Sequence, residues 1–148
     1  LFVERMLRTH GGAATATLVF SHLPMWPLTQ GREHEIVDDP ELLSLLHRNG
    51  VDVYASGHHH AFFAGTDDAG MLHLAVGALG GNARAFSGQR EPQPYSFAVL
   101  SLAGGMVSVR APAAPDFVEE VPAAGLPAVV EGPLGTLRRI TGPVPLRP

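Results

Sequence analysis

The stretch VDVYASGHHH, residues 51–60, joins a short run of strand-forming residues to three consecutive histidines. The run at residues 51–56 is rich in β-branched and aromatic residues, which is typical of a buried strand. The same order occurs upstream in TATLVFSHLP, residues 15–24, where a second such run is followed by His22 and then Pro24. The sequence therefore predicts two strands, each followed directly by a loop that carries imidazole side chains.

A helix is predicted between these two strands. Asp39 and Pro40 are suited to the N-cap and the first turn, and an Asn-Gly pair at residues 49–50 is suited to the end. Four leucines between them give the helix one apolar face. A strand–helix–strand order favours two parallel strands, whose following loops lie at the same edge of the sheet. We therefore expect His22 and His58 to lie close together.

The rest of the chain predicts a mixed architecture. Residues 1–10 have the apolar spacing of a short amphipathic helix, and residues 61–76 and 95–110 each read as a β-hairpin. Eight of the thirteen prolines fall in residues 111–148, so we expect that tail to be extended or partly disordered. The predicted class is α/β, with one domain over residues 1–110 and a proline-rich tail.

Composition excludes several functional classes. The chain of 148 residues has 45% hydrophobic residues and a formal net charge of −4, which predicts a globular domain without a basic nucleic-acid-binding patch. It contains no cysteine, so thiolate metal sites and thiol nucleophiles are excluded. No apolar run is long enough to predict a membrane span, and no export signal is visible. Residue 1 is Leu, so we expect a piece of a longer protein, and localisation stays unknown.

The histidines are the residues suited to metal binding. Imidazole binds Zn, Fe, Mn or Co, and residues i and i+2 of a loop can face one site, so His58 and His60 could act together. His22, at the neighbouring strand end, would add a third imidazole. A solvated loop with incidental metal affinity is the alternative for the triplet, and a hydrogen-bonded polar residue at a strand end is the alternative for His22.

A resemblance to a known family rests on these same segments. VDVYASGHHHAFFAG at residues 51–65 resembles the strand and GHxH signature of calcineurin-like metallophosphoesterases, and TLVFSHLP at residues 17–24 is similar to the family's preceding His-x-Pro element. The resemblance implies the C-terminal part of a four-layer αββα sandwich with two divalent ions, Mn, Fe or Zn. It also implies that His22 and His58 bind one ion, that His60 binds the other, and that His59 lines the pocket.

The family's upstream motifs D-x-H, G-D-x-x-D and G-N-H-[E/D] do not occur in this sequence. The resemblance thus implies an N-terminally truncated phosphoesterase whose missing half carries the other ligands, so that this piece alone is inactive. The complete protein would hydrolyse a small phosphomonoester or phosphodiester with a metal-activated hydroxide. Arg84 is our candidate for contacting the substrate phosphate. The alternative is a non-catalytic, histidine-rich metal-binding or interaction module.

Overall fold

A computed structural model of the chain describes residues 2–147 and shows a mixed α/β fold with two sheets. The described elements include two α-helices, two short 3-10 helices at Gly11–Ala13 and Ala123–Gly125, and nine strands. The helices are α1 (Phe2–His10) and α2 (Pro40–Arg48). The strands are β1 (Leu18–Ser21), β2 (Val53–Ser56), β3 (Phe63–Thr66), β4 (Leu72–Ala75), β5 (Val99–Ala103), β6 (Met106–Arg110), β7 (Val129–Gly132), β8 (Gly135–Arg139) and β9 (Val144–Pro145).

The larger sheet contains the predicted strand–helix–strand unit. Its six strands lie in the order β1-β2-β4-β3-β8-β7. β1 pairs with β2 in parallel, from Leu18 opposite Val53 to Ser21 opposite Ser56, and β2 pairs with β4 in parallel. The prediction that His22 and the histidine triplet follow adjacent parallel strands is therefore confirmed.

Helix α2 begins as the sequence predicts. The side chain of Asp39 accepts a hydrogen bond from the Leu42 amide at 2.9 Å, and Pro40 occupies the first turn, where its missing N–H costs nothing. Leu45 and Leu46 are the buried residues of its apolar face. Both described α-helices are nine residues long, so neither could cross a membrane.

The two predicted hairpins are present, and the C-terminal segment adds strands that the sequence analysis did not predict. β3 pairs with β4, and β5 pairs with β6, both antiparallel. Within residues 111–148, β7 and β8 form a third hairpin that joins the large sheet through β3, and β9 pairs with β6 in the three-stranded sheet β5-β6-β9. This segment is therefore part of both sheets. Val130 and Leu137 of its hairpin are buried despite the surrounding prolines.

The core lies around the central strands of the large sheet. All four residues of β2 and all four of β4 are buried, as expected for strands with a neighbour on each side. Trp26, Phe63 and Phe86 are the largest fully buried side chains. Trp26 also donates a hydrogen bond from Nε1 to the carbonyl oxygen of Gly135 at 2.8 Å, which ties the loop after β1 to the third hairpin.

Candidate metal centre

The parallel pairing of β1 and β2 brings two histidines into contact at the carboxyl edge of the sheet. The amide of Gly57 donates to the carbonyl oxygen of His22 at 3.2 Å, which continues the register of the strands into the loops. The Nε2 atom of His22 lies 2.9 Å from the Nδ1 atom of His58, and the two rings meet edge to face. The site thus brings together two of the three predicted ligands.

The histidine loop has an unusual backbone. His58 has φ 60° and His60 has φ 56°, which is the left-handed region that residues with a Cβ rarely adopt. Arg84 supports this conformation, since its guanidinium donates to the carbonyl oxygen of His58 at 2.7 Å. Arg84, predicted to contact substrate, therefore lies at the edge of the site with part of its guanidinium already bound to protein.

His60 lies on the other side of this loop. Its Nδ1 donates to the carbonyl oxygen of Asn82 at 2.8 Å, so Nε2 is the nitrogen that could bind an ion. The Gly-rich segment after β4 packs directly against this ring. A Cβ at Gly81 would lie 2.6 Å from Cε1 of His60, so glycine is required for this close approach.

His59 occupies a different place from the one expected. Its ring is fully buried, its Nδ1 accepts from the amide of Leu28 at 3.2 Å, and its Nε2 donates to the carbonyl oxygen of Glu35 at 3.1 Å. Burial lowers its pKa, which agrees with a neutral ring that accepts at one nitrogen and donates at the other. We assign His59 the role of holding the loop at residues 25–38, in place of the pocket-lining role predicted from the sequence.

Glu35 belongs to this cluster although the sequence analysis did not select it. Its carboxylate contacts the Nε2 atom of His58 and forms an ion pair with Arg32 at 2.5 Å. The hydrogen bond from Arg32, followed by that from His58, lowers the pKa of Glu35, so the group is a carboxylate at neutral pH. The available signal was weak: an acidic residue in a long irregular loop that precedes the helix of a βαβ unit.

The separation of the two ring nitrogens fits a shared metal ion. Two nitrogen ligands at about 2.1 Å from one ion, at right angles, are about 3.0 Å apart. The His22–His58 separation of 2.9 Å is a hydrogen-bond distance in the metal-free chain, and it lies close to that spacing and below the roughly 3.4 Å of a tetrahedral ion. Imidazole nitrogen suits Mn, Fe and Zn alike. Among residues 2–147, however, no three His, Asp or Glu side chains already converge on a single ion position. The described residues thus bring two imidazole nitrogens together without forming a complete metal site.

A second histidine cluster lies at the opposite end of β4. Oδ2 of Asp67 accepts from Nε2 of His47 at 2.7 Å and from Nε2 of His73 at 3.0 Å, while Oδ1 accepts from the amides of Ala69 and Met71. Burial by itself raises the pKa of Asp67, but the hydrogen bonds from His73 and His47 outweigh it and lower the pKa to about 2. These two histidines therefore fix a buried turn.

Comparison with known proteins identifies the fold. No protein-family model and no curated protein sequence matches the chain. Among solved structures, the chain is similar to a dimetal phosphatase from Danio rerio, with a TM-score of 0.56 and 21% identity over 81% of this chain and 35% of that one. This is a metallophosphoesterase-like fold. The α/β class predicted from the sequence is therefore confirmed.

A second solved structure has a similar fold. GAP50, described as the anchor in the inner membrane complex of Plasmodium, matches with a TM-score of 0.63 and 20% identity over 75% of this chain and 36% of that one. The chain thus spans about a third of the length of either protein. At these identities the comparisons establish the fold, and a function has to be argued from the site itself.

Proposed function

We propose that this chain carries one side of the two-metal site of a phosphoesterase. His22 and His58 would bind one ion, and His60 would bind the second through Nε2. The observation that carries the proposal is the 2.9 Å separation of the His22 and His58 nitrogens at the carboxyl edge of two parallel strands. Ligand sites in open α/β sheets lie at that edge.

The side chains around the histidines have defined tasks in this proposal. Divalent ions, when bound, would supply Lewis acidity and an activated water for hydrolysis of a phosphate ester. Arg84 holds the His58 backbone through one nitrogen, and its remaining N–H groups are available to a phosphate oxygen. Gly81 lets the segment after β4 approach His60 closely enough for Asn82 to orient the ring. Both roles keep imidazole nitrogens directed at the edge of the sheet.

The other metal ligands would come from the part of the fold that this sequence does not contain. Two observations support this proposal. The chain spans only 35% of the dimetal phosphatase that it resembles. In addition, β1 and β5 are edge strands with exposed apolar side chains, including Phe20 at 75% and Leu102 at 47% exposure. Such edges favour further strand pairing. Because the other ligands would be missing, we expect the 148-residue chain alone to have no measurable hydrolytic activity.

The test is metal-dependent hydrolysis of bis(p-nitrophenyl) phosphate by the full reading frame that contains this chain. We expect His58→Ala and His60→Ala each to lower the rate at least about 100-fold, because each removes a ligand. His10→Ala is the matched control, since His10 ends α1 and its neighbour Gly11 lies beside Asn49, before β2 begins and so at the opposite edge of the sheet. Full activity in both ligand variants would contradict the assignment, and so would turnover by the 148-residue chain that His58→Ala abolishes.

A non-catalytic role is the second candidate. GAP50 is described as an anchor, so a protein with this fold can be named for a role in attachment. In that case the full protein would bind one divalent ion, or none, without hydrolysing phosphate esters. Metal content measured on the same preparation as turnover separates the two candidates.

A further inference from the structure

The two nitrogens of His58 have different partners. Nδ1 lies 2.9 Å from Nε2 of His22, while Nε2 contacts the carboxylate of Glu35. A carboxylate can only accept, so Nε2 of His58 carries the hydrogen of that bond. In the neutral ring Nδ1 then holds the lone pair, and it points towards His22. In the metal-free chain Nδ1 accepts a hydrogen bond from Nε2 of His22, and an ion bound at Nδ1 would replace that bond. The contact with Glu35 therefore selects Nδ1 as the nitrogen that carries the lone pair.

Glu35 is itself held in place from three directions. The guanidinium of Arg32 pairs with the Glu35 carboxylate at 2.5 Å, and the Glu35 backbone amide donates to the carbonyl oxygen of Arg32 at 2.9 Å. Its own carbonyl oxygen accepts from the buried ring of His59 at 3.1 Å. This irregular loop thus presents one carboxylate at a fixed position although it contains no regular helix or strand there.

We infer that Glu35 is a positioning residue for the metal centre, and this inference rests on the proposed function. Its carboxylate orients the ring of His58 and fixes the tautomer in which Nδ1 faces His22. A metal-ligating imidazole commonly donates its other N–H to a carboxylate or carbonyl oxygen, which raises its basicity and holds the ring. Here Glu35 provides that acceptor and Arg32 supports it.

Geometry distinguishes this role from direct ligation. The lone-pair directions of the two imidazole nitrogens diverge, so a group in contact with Nε2 of His58 lies on the far side of the ring from an ion at Nδ1. Glu35 contacts Nε2, and His22 contacts Nδ1. The carboxylate therefore cannot share with His22 an ion that His58 binds through Nδ1 in this arrangement.

The test is titration of the purified chain with Co²⁺, followed by calorimetry and by the visible absorption of bound Co²⁺. We expect Glu35→Ala to weaken binding about 10- to 100-fold, and Glu35→Gln to recover most of that loss, because its amide oxygen still accepts from Nε2. The absorption spectrum should keep its shape in both variants. Glu33→Ala is the matched control, since Glu33 lies in the same loop and its carboxylate accepts from the Gly31 amide instead of from His58.

Each other result contradicts a specific statement. Unchanged affinity in Glu35→Ala would overturn the positioning role, and equal losses in both variants with an altered spectrum would make Glu35 a ligand. Absence of Co²⁺ binding by the wild-type chain would show that these residues do not hold an ion without the rest of the fold. In that case the ¹⁵N shifts of the His58 ring in the metal-free chain still decide the inference. They should report hydrogen on Nε2 in the wild type and lose that preference in Glu35→Ala.

Discussion

We expect the substitution Asp67→Asn to destabilise the fold by about 2 kcal/mol at pH 7, and by much less near pH 2. The carboxylate is buried, and burial on its own would raise its pKa. Hydrogen bonds from His73 and His47 reverse that effect and hold the pKa at about 2, against an ordinary value of 3.8. A difference of this size between folded and unfolded chains corresponds to about 2 kcal/mol of stability.

The sign of the pH dependence follows from the direction of the pKa change. A carboxyl group whose pKa is lowered by folding stabilises the protein fully above its unfolded pKa, here 3.8, and loses that contribution as the pH falls towards 2. Asparagine does not ionise, so the variant lacks this contribution at every pH. The difference between the free energies of unfolding should therefore narrow below pH 4.

Urea unfolding followed by Trp26 fluorescence is the appropriate assay. Trp26 is the single tryptophan of the chain, it is buried, and its ring centroid lies 4.5 Å from that of His73. Burial lowers the pKa of His73 as well, so acid also weakens both proteins below pH 6.5 through His73. The contribution of Asp67 is therefore read from the difference between the two proteins below pH 4. Asp68→Asn, at the exposed neighbouring position, is the control.

Two results would refute this reasoning. If the difference between wild type and Asp67→Asn stays constant from pH 7 to pH 2.5, the loss comes from repacking of the turn and not from the ionised carboxylate. If the two proteins have the same free energy of unfolding at pH 7, the hydrogen bonds of His47 and His73 to Asp67 are no more favourable than the hydrogen bonds these groups make to water in the unfolded chain. A loss of similar size in Asp68→Asn would show that any substitution in this turn is harmful.

Two further substitutions test the contacts around the site and the core. Gly81→Ala should weaken Co²⁺ binding, because its Cβ would lie 2.6 Å from the ring of His60, whereas Gly80→Ala, which faces open space, should bind as the wild type does. If calorimetry gives equal Co²⁺ affinities for the two variants, His60 does not contribute to the binding site. Trp26→Phe should lower the free energy of unfolding by about 1 kcal/mol or more, because it leaves the Gly135 carbonyl without its donor. An unchanged urea midpoint, followed by circular dichroism, would contradict this.

Local rules were sufficient for the unit that forms the site. The strand residues before His22 and His58 and the cap at Asp39 each follow from short-range chemistry. The parallel pairing of a βαβ unit then brings the two loops to the same edge of the sheet. The contact between His22 and His58 could thus be predicted although it joins distant parts of the chain. The left-handed conformations of His58 and His60 could not be predicted, because no local sequence pattern in this loop selects them.

Glu35 shows what such rules miss. Four acidic residues lie between residues 33 and 39, and their spacing does not indicate which of them reaches His58. That choice depends on how the loop folds back, which is decided by the buried ring of His59 and its bonds to Leu28 and Glu35. A tertiary contact therefore sets the position of the carboxylate, and periodicity carries no information about it.

The third hairpin was missed for a different reason. Proline content predicted an extended tail, yet the prolines of residues 126–139 lie outside the paired positions of β7 and β8, where a missing N–H does no harm. The pattern VVEGPLGTLRR at residues 129–139 holds two short runs around a Gly-Pro turn, which is a hairpin signal. Overall composition concealed a local pattern that was present.

The backbone of the histidine loop argues against an incidental cluster. A left-handed conformation costs roughly 1–2 kcal/mol for a residue with a Cβ, and glycine would avoid that cost at both His58 and His60. The chain instead stabilises these conformations with Arg84 and Asn82, each bonded to the loop by a hydrogen bond shorter than 3 Å. In a solvated loop without a ligand, hydrogen bonds such as these would have to offset the whole strain. In a metal centre the bonds from the imidazoles to the ion would offset it, which is why strained non-glycine residues are evidence for a functional site.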